Sequence, residues 1–177
     1  MLRPQFKSLG AIVLLFALSL FAYAQSQVRL ELSSYKVITT TDAEGHRVES
    51  FKPALNVAPG DVIEWRLRAI NTSDKILQEV SLIIPIPAKT YYLKGSASTL
   101  VIERGDEKII IKPEFSYDGG QTYGIPPLFK IVKEVVNGQE VTKKVPVAPE
   151  EYTHVRWVLK DMLPKEAVEV FLRTVVR

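Results

Sequence analysis

The sequence predicts an all-β protein, an antiparallel β-sandwich with a β-hairpin insertion, and the stretch Val57–Ser98 is the main reason. Apolar and charged residues alternate strictly after the turn Pro59-Gly60-Asp61, which is the period of a half-buried strand. A second polar turn, Asn71–Asp74, leads into another alternating segment. The residues predicted to form the core, in this stretch and near the C-terminus, are Trp65, Leu67, Val80, Leu82, Trp157 and Leu159.

Residues 1–24 have the organisation of a cleaved secretory signal peptide. Arg3 and Lys7 give a positive start, Leu9–Phe21 is apolar, and Ala22-Tyr23-Ala24 is a small-residue cleavage site. The apolar run is shorter than the ~20 residues that a membrane-spanning helix needs, and no cysteine follows it to carry a lipid. We therefore expect export and a mature single domain, residues 25–177, without a transmembrane segment. An uncleaved signal anchor is the alternative.

The composition restricts the kinds of chemistry available to the chain. Cysteine is absent, which excludes disulfides, thiolate metal sites and cysteine nucleophiles. The formal net charge is +3, and two of those charges belong to Arg3 and Lys7. A mature chain this close to neutral, with no basic run, argues against nucleic acid as a partner.

Further strands are predicted towards both ends of the chain. Gln27–Thr41 alternates as one long strand, in which Ser33-Ser34 marks either a bulge or a switch between sheets. Val48–Leu55 then returns towards the Pro-Gly turn, as immunoglobulin-like sandwiches usually begin. Near the C-terminus, Tyr152–Lys160 alternates again and Ala167–Arg177 is predicted as a long final strand.

Prolines and turns divide the middle of the chain. The two prolines of Pro85–Lys89 each remove a ladder donor, so this segment is expected at a sheet edge or leaving the sheet. Ser98–Glu103 and Lys108–Phe115 are predicted to form a hairpin in which Val101 pairs near Ile110.

The segment Pro113–Pro149 is predicted to be an insertion, a β-arm with a loop at its base. Phe129–Val136 and Val141–Val147 are rich in β-formers and flank Asn137-Gly138, a strong signal for a two-residue hairpin turn. The loop before them contains aromatic and apolar residues, which mark interaction sites when exposed. The candidates for partner binding are Tyr117, Tyr123, Ile125, Pro126, Pro127 and Phe129. The alternative is that they fold back over an open end of the sheet.

Several motifs of the chain occur in the order and spacing of a known family. They are Pro59-Gly60-Asp61, Trp65, Asn71-Thr72, Pro85-Ile86-Pro87, Tyr92 and Gly95-Ser96-Ala97-Ser98, with a closing Val155–Leu159, Leu163–Glu166 and last strand to Val176. Over roughly Val57–Ser98 and Thr153–Val176 the chain resembles the conserved repeat domain of bacterial surface proteins (domain of unknown function 11). It departs from the family at Ile84, where an acidic residue is usual, and in the length of Thr99–Glu151. The resemblance implies an immunoglobulin-like sandwich outside the cytoplasm, with no catalytic motif.

No residue pattern indicates catalysis, a cofactor or a metal site. The two histidines, His46 and His154, are more than a hundred positions apart and belong to no ligand motif. Hydrolase signatures are missing, and Asp118-Gly119-Gly120 has too few oxygen ligands for calcium. Asn71-Thr72-Ser73 matches a glycosylation acceptor, although the resemblance gives it the role of a structural turn. We therefore expect no enzyme, no cofactor and no metal.

The function predicted from these features is that of a non-enzymatic structural or interaction module, exported to the periplasm, cell surface or cell envelope. Its expected partner is another envelope or surface-layer protein, of which it would be an accessory subunit, or copies of itself. Either the arm inserts into that partner or an exposed strand edge pairs with it. The alternative is a soluble periplasmic binding or chaperone-like protein that uses an exposed strand edge.

Overall fold

The computed structural model describes residues 27–136 and 138–177, and that part of the chain contains twelve β-strands and no α-helix. The strands are β1 (Val28–Thr41), β2 (Arg47–Pro53), β3 (Val62–Asn71), β4 (Leu77–Pro85), β5 (Thr90–Tyr92), β6 (Leu100–Arg104), β7 (Glu107–Ile111), β8 (Glu114–Ser116), β9 (Phe129–Val136), β10 (Gln139–Pro146), β11 (His154–Met162) and β12 (Ala167–Val176). The signal peptide expected at residues 1–24 and Asn137 of the hairpin turn lie outside the described residues. Within those residues, no helix is long and apolar enough to cross a membrane.

The strands form two main antiparallel sheets and two hairpins. The five-stranded sheet has the order β2-β1-β3-β12-β5, and the three-stranded sheet has the order β4-β11-β8. The hairpins are β6-β7 and β9-β10. Every pairing is antiparallel. The prediction of an all-β, antiparallel, sandwich-like fold is therefore confirmed.

The core lies between the two main sheets, where strand alternation turns one face of each sheet inward. Leu67 on β3 pairs with Val170 on β12, and Leu82 on β4 pairs with Trp157 on β11. Those four side chains are buried, as is Leu159. The indole Nε1 of Trp157 donates to the carbonyl of Ser98 at 2.8 Å, so its polar atom is satisfied inside the core. Of the six predicted core residues, Leu67, Leu82, Trp157 and Leu159 are buried, whereas Trp65 and Val80 are half-buried and pack against them.

An aromatic cluster shows which strands face each other across the sandwich. The ring of Phe115 on β8 lies 5.1 Å from the ring of Tyr92 on β5 and 4.9 Å from that of Tyr152. Strand β8 therefore covers the β5 edge of the five-stranded sheet. Because β8 and β4 are opposite edges of the three-stranded sheet, the outer edge of β4, which no strand of the described residues pairs with, faces the β1 side.

Two local expectations differ from the structure. Lys108–Phe115 is not one strand but two, β7 and β8, which belong to different sheets, because Pro113 between them has no N–H for a ladder. Ser33-Ser34 marks neither a bulge nor a switch, since β1 pairs with β3 in unbroken register through it. The hairpin pairing of Val101 with Ile110 is confirmed, and Pro85 ends a strand that lies at a sheet edge.

Candidate interaction surface: the β-arm and its base loop

The β-arm, residues 129–146, is a two-stranded hairpin that pairs with neither main sheet. Its register runs from Phe129 opposite Pro146 to Val136 opposite Gln139. Strands of alternating Val, Ile and Lys form such a ladder because β-branched side chains suit a pleated surface. A hairpin of this kind has no second layer to bury its side chains.

Apolar side chains of the arm are left in solvent. Ile131 is 65 % exposed and Val135 is 75 % exposed, and both lie on the face that carries Phe129. The opposite face presents Val141, which is also exposed, beside the partly buried Val132. Exposed apolar groups concentrated on one projecting element are typical of a contact surface.

The arm is cationic, with four lysines against two glutamates. The ammonium of Lys144 lies 4.6 Å from the centre of the Phe129 ring, a cation–π contact. At the base, Lys130 forms an ion pair with Glu151. The hydrogen bond from Lys130, assisted by the N–H of Ala148, holds the pKa of Glu151 below its usual range. These contacts fix where the arm leaves the domain.

The base loop, residues 117–128, begins with a turn organised by one carboxylate. Asp118 accepts hydrogen bonds from the hydroxyl of Thr122 at 2.5 Å, from the hydroxyl of Ser116 at 2.7 Å and from the N–H of Gln121 at 3.0 Å. The bonds from Thr122, followed by that from Ser116, depress the pKa of Asp118 well below its usual range. The carboxylate is fully used by its own turn, which is why a short Asp-Gly-Gly sequence forms a fixed loop here.

The two tyrosines of the base loop are structural rather than free. The hydroxyl of Tyr117 donates to the carbonyl of Phe129 at 3.2 Å and so joins the loop to the arm. The ring of Tyr123 lies 4.1 Å from the guanidinium carbon of Arg156, and Arg156 in turn pairs with Glu114. Desolvation raises the pKa of Tyr123.

The six predicted partner-binding residues therefore fall into two groups. Tyr117 and Tyr123 are partly buried and fold back against the domain, whereas Ile125 and Phe129 are exposed apolar residues and the two prolines between them are exposed as well. Sequence reasoning omitted Ile131 and Val135. The signal was available in the apolar alternation of the arm, but alternation alone does not tell whether a second layer covers it.

Other candidate sites are accounted for by turns and pairing. Asp42, Glu44 and His46 bring ligand atoms within 4.8 Å of one another, but they are exposed and Asp42 accepts the N–H groups of Glu44 and His46. The hydroxyls of Ser96 and Ser98 accept from the N–H groups of Arg173 and Phe171, each at 2.9 Å, and so extend the pairing along β12.

The side-chain amide of Asn71 is also engaged in hydrogen bonds within the fold. It is buried, and its Nδ2 donates to the carbonyls of Lys75 and Leu163 at 2.8 and 2.9 Å. In the folded protein it is therefore not accessible as a glycan acceptor.

Comparison with protein-family models, with curated proteins and with solved structures gives no match.

Proposed function

We propose that this chain is a non-enzymatic structural and interaction module of the bacterial cell envelope, an exported immunoglobulin-like domain that joins a larger surface or outer-envelope assembly. The observation that carries the proposal is the β-arm, which projects from the main sheets with exposed apolar side chains. The resemblance to the conserved repeat domain of bacterial surface proteins supports the same class of function.

The energetics of the arm favour a partner. A two-stranded hairpin is marginally stable by itself in water, and it needs a third strand or a packed face for independent stability. Fully burying one Ile or Val side chain contributes about 1.5–3 kcal/mol. Since Ile131 and Val135 are mostly exposed, docking of this one face would gain several kcal/mol before the cost of association.

The chemistry of the arm describes the surface it would meet. The apolar strip formed by Phe129, Ile131 and Val135 is complementary to an apolar surface on the partner. The excess of lysine on the arm is complementary to carboxylates around that surface. The expected partner is an acidic envelope or surface-layer protein, with a second copy of the chain as the other occupant. The expected signal peptide supports delivery of the chain to that compartment.

A second candidate function is a soluble periplasmic binding or chaperone-like protein. The outer edge of β4, unpaired among residues 27–136 and 138–177, favours it, because an unpaired strand edge can take up an extended client reversibly. The two functions differ in the lifetime of the complex: an accessory subunit stays bound, whereas a client-binding protein releases its ligand.

Fractionation of the native cells tests the proposal. Envelopes are extracted with mild detergent, and the size and mass of whatever carries this chain are measured. The accessory subunit should migrate in a large complex. Replacing residues 130–145 by a short glycine linker should release it as a folded monomer, since the arm pairs with neither main sheet.

A double variant of the arm, compared with a control substitution elsewhere, gives the finer test. Ile131→Ser with Val135→Ser removes the exposed strip and should weaken co-migration, whereas Ile110→Ser on the β6-β7 hairpin removes an apolar side chain of similar exposure and should not. Recovery of the wild-type chain as a free monomer, or equal effects of both changes, would count against arm-mediated assembly.

A further inference from the structure

The inner face of the five-stranded sheet is left partly uncovered. The register places Leu30 and Leu32 of β1 opposite Ala69 and Leu67 of β3, so all four side chains point to the same face. Ala69 and Leu67 are buried in the core, yet Leu30 is 58 % exposed and Leu32 is 54 % exposed. The three-stranded sheet therefore stops short of β1.

The strand that borders this uncovered face is β4, and its outer edge is unpaired within the described residues. The N–H of Ile86 donates to Thr153 at 2.8 Å, so alternation directs the backbone groups of even-numbered β4 residues towards β11. The N–H and C=O groups of Ser81 and Ile83 therefore point away from β11. The missing N–H of Pro85 also falls on that side, where it costs no ladder bond.

Strands β1 and β4, which border the uncovered face, run in the same direction. Strand β4 begins beside the end of β3, where Asn71 bonds to Lys75, and the residues after it reach the start of β3, where Pro87 and Ile63 line one cavity. Hence β4 is antiparallel to β3, as β1 is. A strand added antiparallel to β4 would lie over Leu30 and Leu32 and would complete the three-stranded sheet.

The uncovered region between β1 and β4, the open side, ends in an apolar cavity of about 350 Å³. Its walls include Ile63, Trp65 and Val57, and Pro87 closes the end next to β4. A volume of this size accommodates one large side chain. The indole N–H of Trp65 is already bonded to the hydroxyl of Thr174 at 2.9 Å, so the ring presents an apolar surface.

A single cation lies at the rim of this cavity. Lys89 lines it and, among residues 27–136 and 138–177, forms no ion pair. The neighbouring Lys36 is neutralised by Asp61 at 2.7 Å. The floor formed by Leu30, Leu32 and Trp65 carries no charge.

We propose that the open side between β1 and β4 binds an extended segment of a partner protein, which adds as a strand to the edge of β4. The segment has apolar side chains at every second position, one of them large and seated against Trp65, and an acidic group near its amino end that meets Lys89. Its length is about five to seven residues, because the regular edge runs from Ser81 to Pro85. Glu79, with φ of 53°, is skipped in the pairing with β11 before Gln78 and Leu77 pair again, so the edge is irregular at that point.

This inference goes beyond the arm-mediated contact proposed above and depends on different residues; it deepens the second candidate function, which uses the same edge of β4. Strand addition combines backbone hydrogen bonds, which provide affinity, with pockets for alternate side chains, which provide selectivity. The site offers both: an edge with paired donors and acceptors, and a cavity with one unneutralised cation.

A synthetic strand tests the site on the purified protein. The probe is a blocked peptide of about seven residues, in which leucine and valines alternate with threonines after an amino-terminal aspartate. Binding is followed by tryptophan emission, since Trp65 is half-buried beside the cavity whereas Trp157 is fully buried and insensitive. We expect saturable binding with a blue shift, and loss of that shift in Trp65→Phe.

Three comparisons separate strand addition from other kinds of binding. Leu32→Lys and Ile83→Pro should each weaken binding by about tenfold or more, the first by charging the floor and the second by removing an edge N–H. Ile110→Lys, at a position as exposed as Leu30, should change the affinity less than about twofold. A peptide N-methylated at its pairing positions should lose most of its affinity, because its side chains are unchanged while its donors are gone.

Equal binding by wild type and Leu32→Lys, or equal binding of the parent and N-methylated peptides, would overturn the inference. Circular dichroism of each variant verifies that the fold is retained. Removal of the β-arm should leave the peptide affinity unchanged. Failure of the peptide experiment therefore counts against the open side and against the client-binding function that uses the same edge, whereas failure of co-migration counts against the arm alone.

Discussion

Replacement of Asn71 by alanine is expected to destabilise the domain more than any other change of a single polar side chain in its turns. Asn71 is fully buried at the end of β3. Its Nδ2 donates to carbonyls of Lys75 and Leu163, its Oδ1 accepts from the N–H of Ser73 at 3.0 Å, and its backbone N–H donates to Glu166 at 2.9 Å. The amide therefore joins the turn after β3 to the turn after β11.

The expected loss of stability in Asn71→Ala follows from the hydrogen bonds that alanine cannot form. Two or more hydrogen bonds of about 1 kcal/mol each are lost, and the partly buried carbonyls lose their donor at a cost of about 1–3 kcal/mol. Together with the small cavity, the free energy of unfolding should fall by about 3–5 kcal/mol. In a domain of this size that corresponds to a decrease in Tm of roughly 6–20 °C.

Asn71→Asp tests how the stability of the domain should change with pH when the buried amide becomes a carboxyl group. A buried carboxylate facing carbonyl oxygens has its pKa raised in the folded state, because both burial and repulsion disfavour the charged form. The folded state then binds more protons than the unfolded state above the unfolded pKa of about 4, so the stability of the variant relative to wild type falls as pH rises from that value. The deficit should be smaller at pH ~4.5 than at pH ~7, whereas that of Asn71→Ala should hardly change.

Urea unfolding monitored by tryptophan emission measures these differences, with each variant compared with wild type at the same pH. Thr72→Ala is the matched control, because its hydroxyl makes one exposed bond, to the carbonyl of Gln27 at 3.0 Å, and should cost less than about 1 kcal/mol. A loss under about 1 kcal/mol for Asn71→Ala would refute the reasoning, as would a deficit of Asn71→Asp that grows towards acid pH.

Three other outcomes are expected from contacts elsewhere in the domain. Trp157→Phe should lower the free energy of unfolding by about 1–3 kcal/mol, since the ring volume shrinks and Ser98 loses its donor; a neutral effect in urea unfolding would contradict this. The depressed pKa of Asp118 adds stability that is present above its unfolded pKa of about 4 and is lost as pH falls towards the lower folded value. The wild type should therefore lose its advantage over Asp118→Ala in acid, and a constant difference between pH ~5 and pH ~2.5 would argue against that. Removal of residues 130–145 should shift the Tm of the remaining domain only slightly in calorimetry, because the arm pairs with neither main sheet; a large decrease would mean that the arm supports the core.

The alternation of the chain was sufficient to predict the strands whose side chains form the core between the two sheets. Leu67 and Ala69 on β3 and Trp157 and Leu159 on β11 follow a period of two, and all four are buried. The pairing of Val101 with Ile110 was readable as well, because a short turn fixes the register of its hairpin.

The same alternation could not predict which apolar side chains the opposite sheet covers. Leu30 and Leu32 alternate with charged residues as regularly as Leu67 and Ala69 do, yet they are exposed because the opposite sheet has only three strands. Which of two identical patterns is buried depends on how many strands the facing sheet contributes, and those strands come from distant parts of the sequence.

The candidate site was likewise predictable in part. The composition of the loop before the arm identified it as a candidate surface. The roles of Tyr123 and Ile125 nevertheless differ, because Arg156, more than thirty positions away, lies under the Tyr123 ring. Nothing near either residue in the sequence distinguishes an aromatic ring seated on a cation from an apolar side chain left in solvent.

The sequence by itself determined the class of secondary structure, the turns and the hairpin of residues 129–146, because these depend on neighbouring residues and on local backbone chemistry. It did not show that β8, inside the predicted insertion 113–149, belongs to the three-stranded sheet. The tertiary structure alone decided which sheet each strand joins, which apolar faces are covered and which strand edge is free. Those properties arise from contacts between residues far apart in the chain, and the surfaces that such contacts leave incomplete, the β-arm and the open side between β1 and β4, are the ones available to a partner.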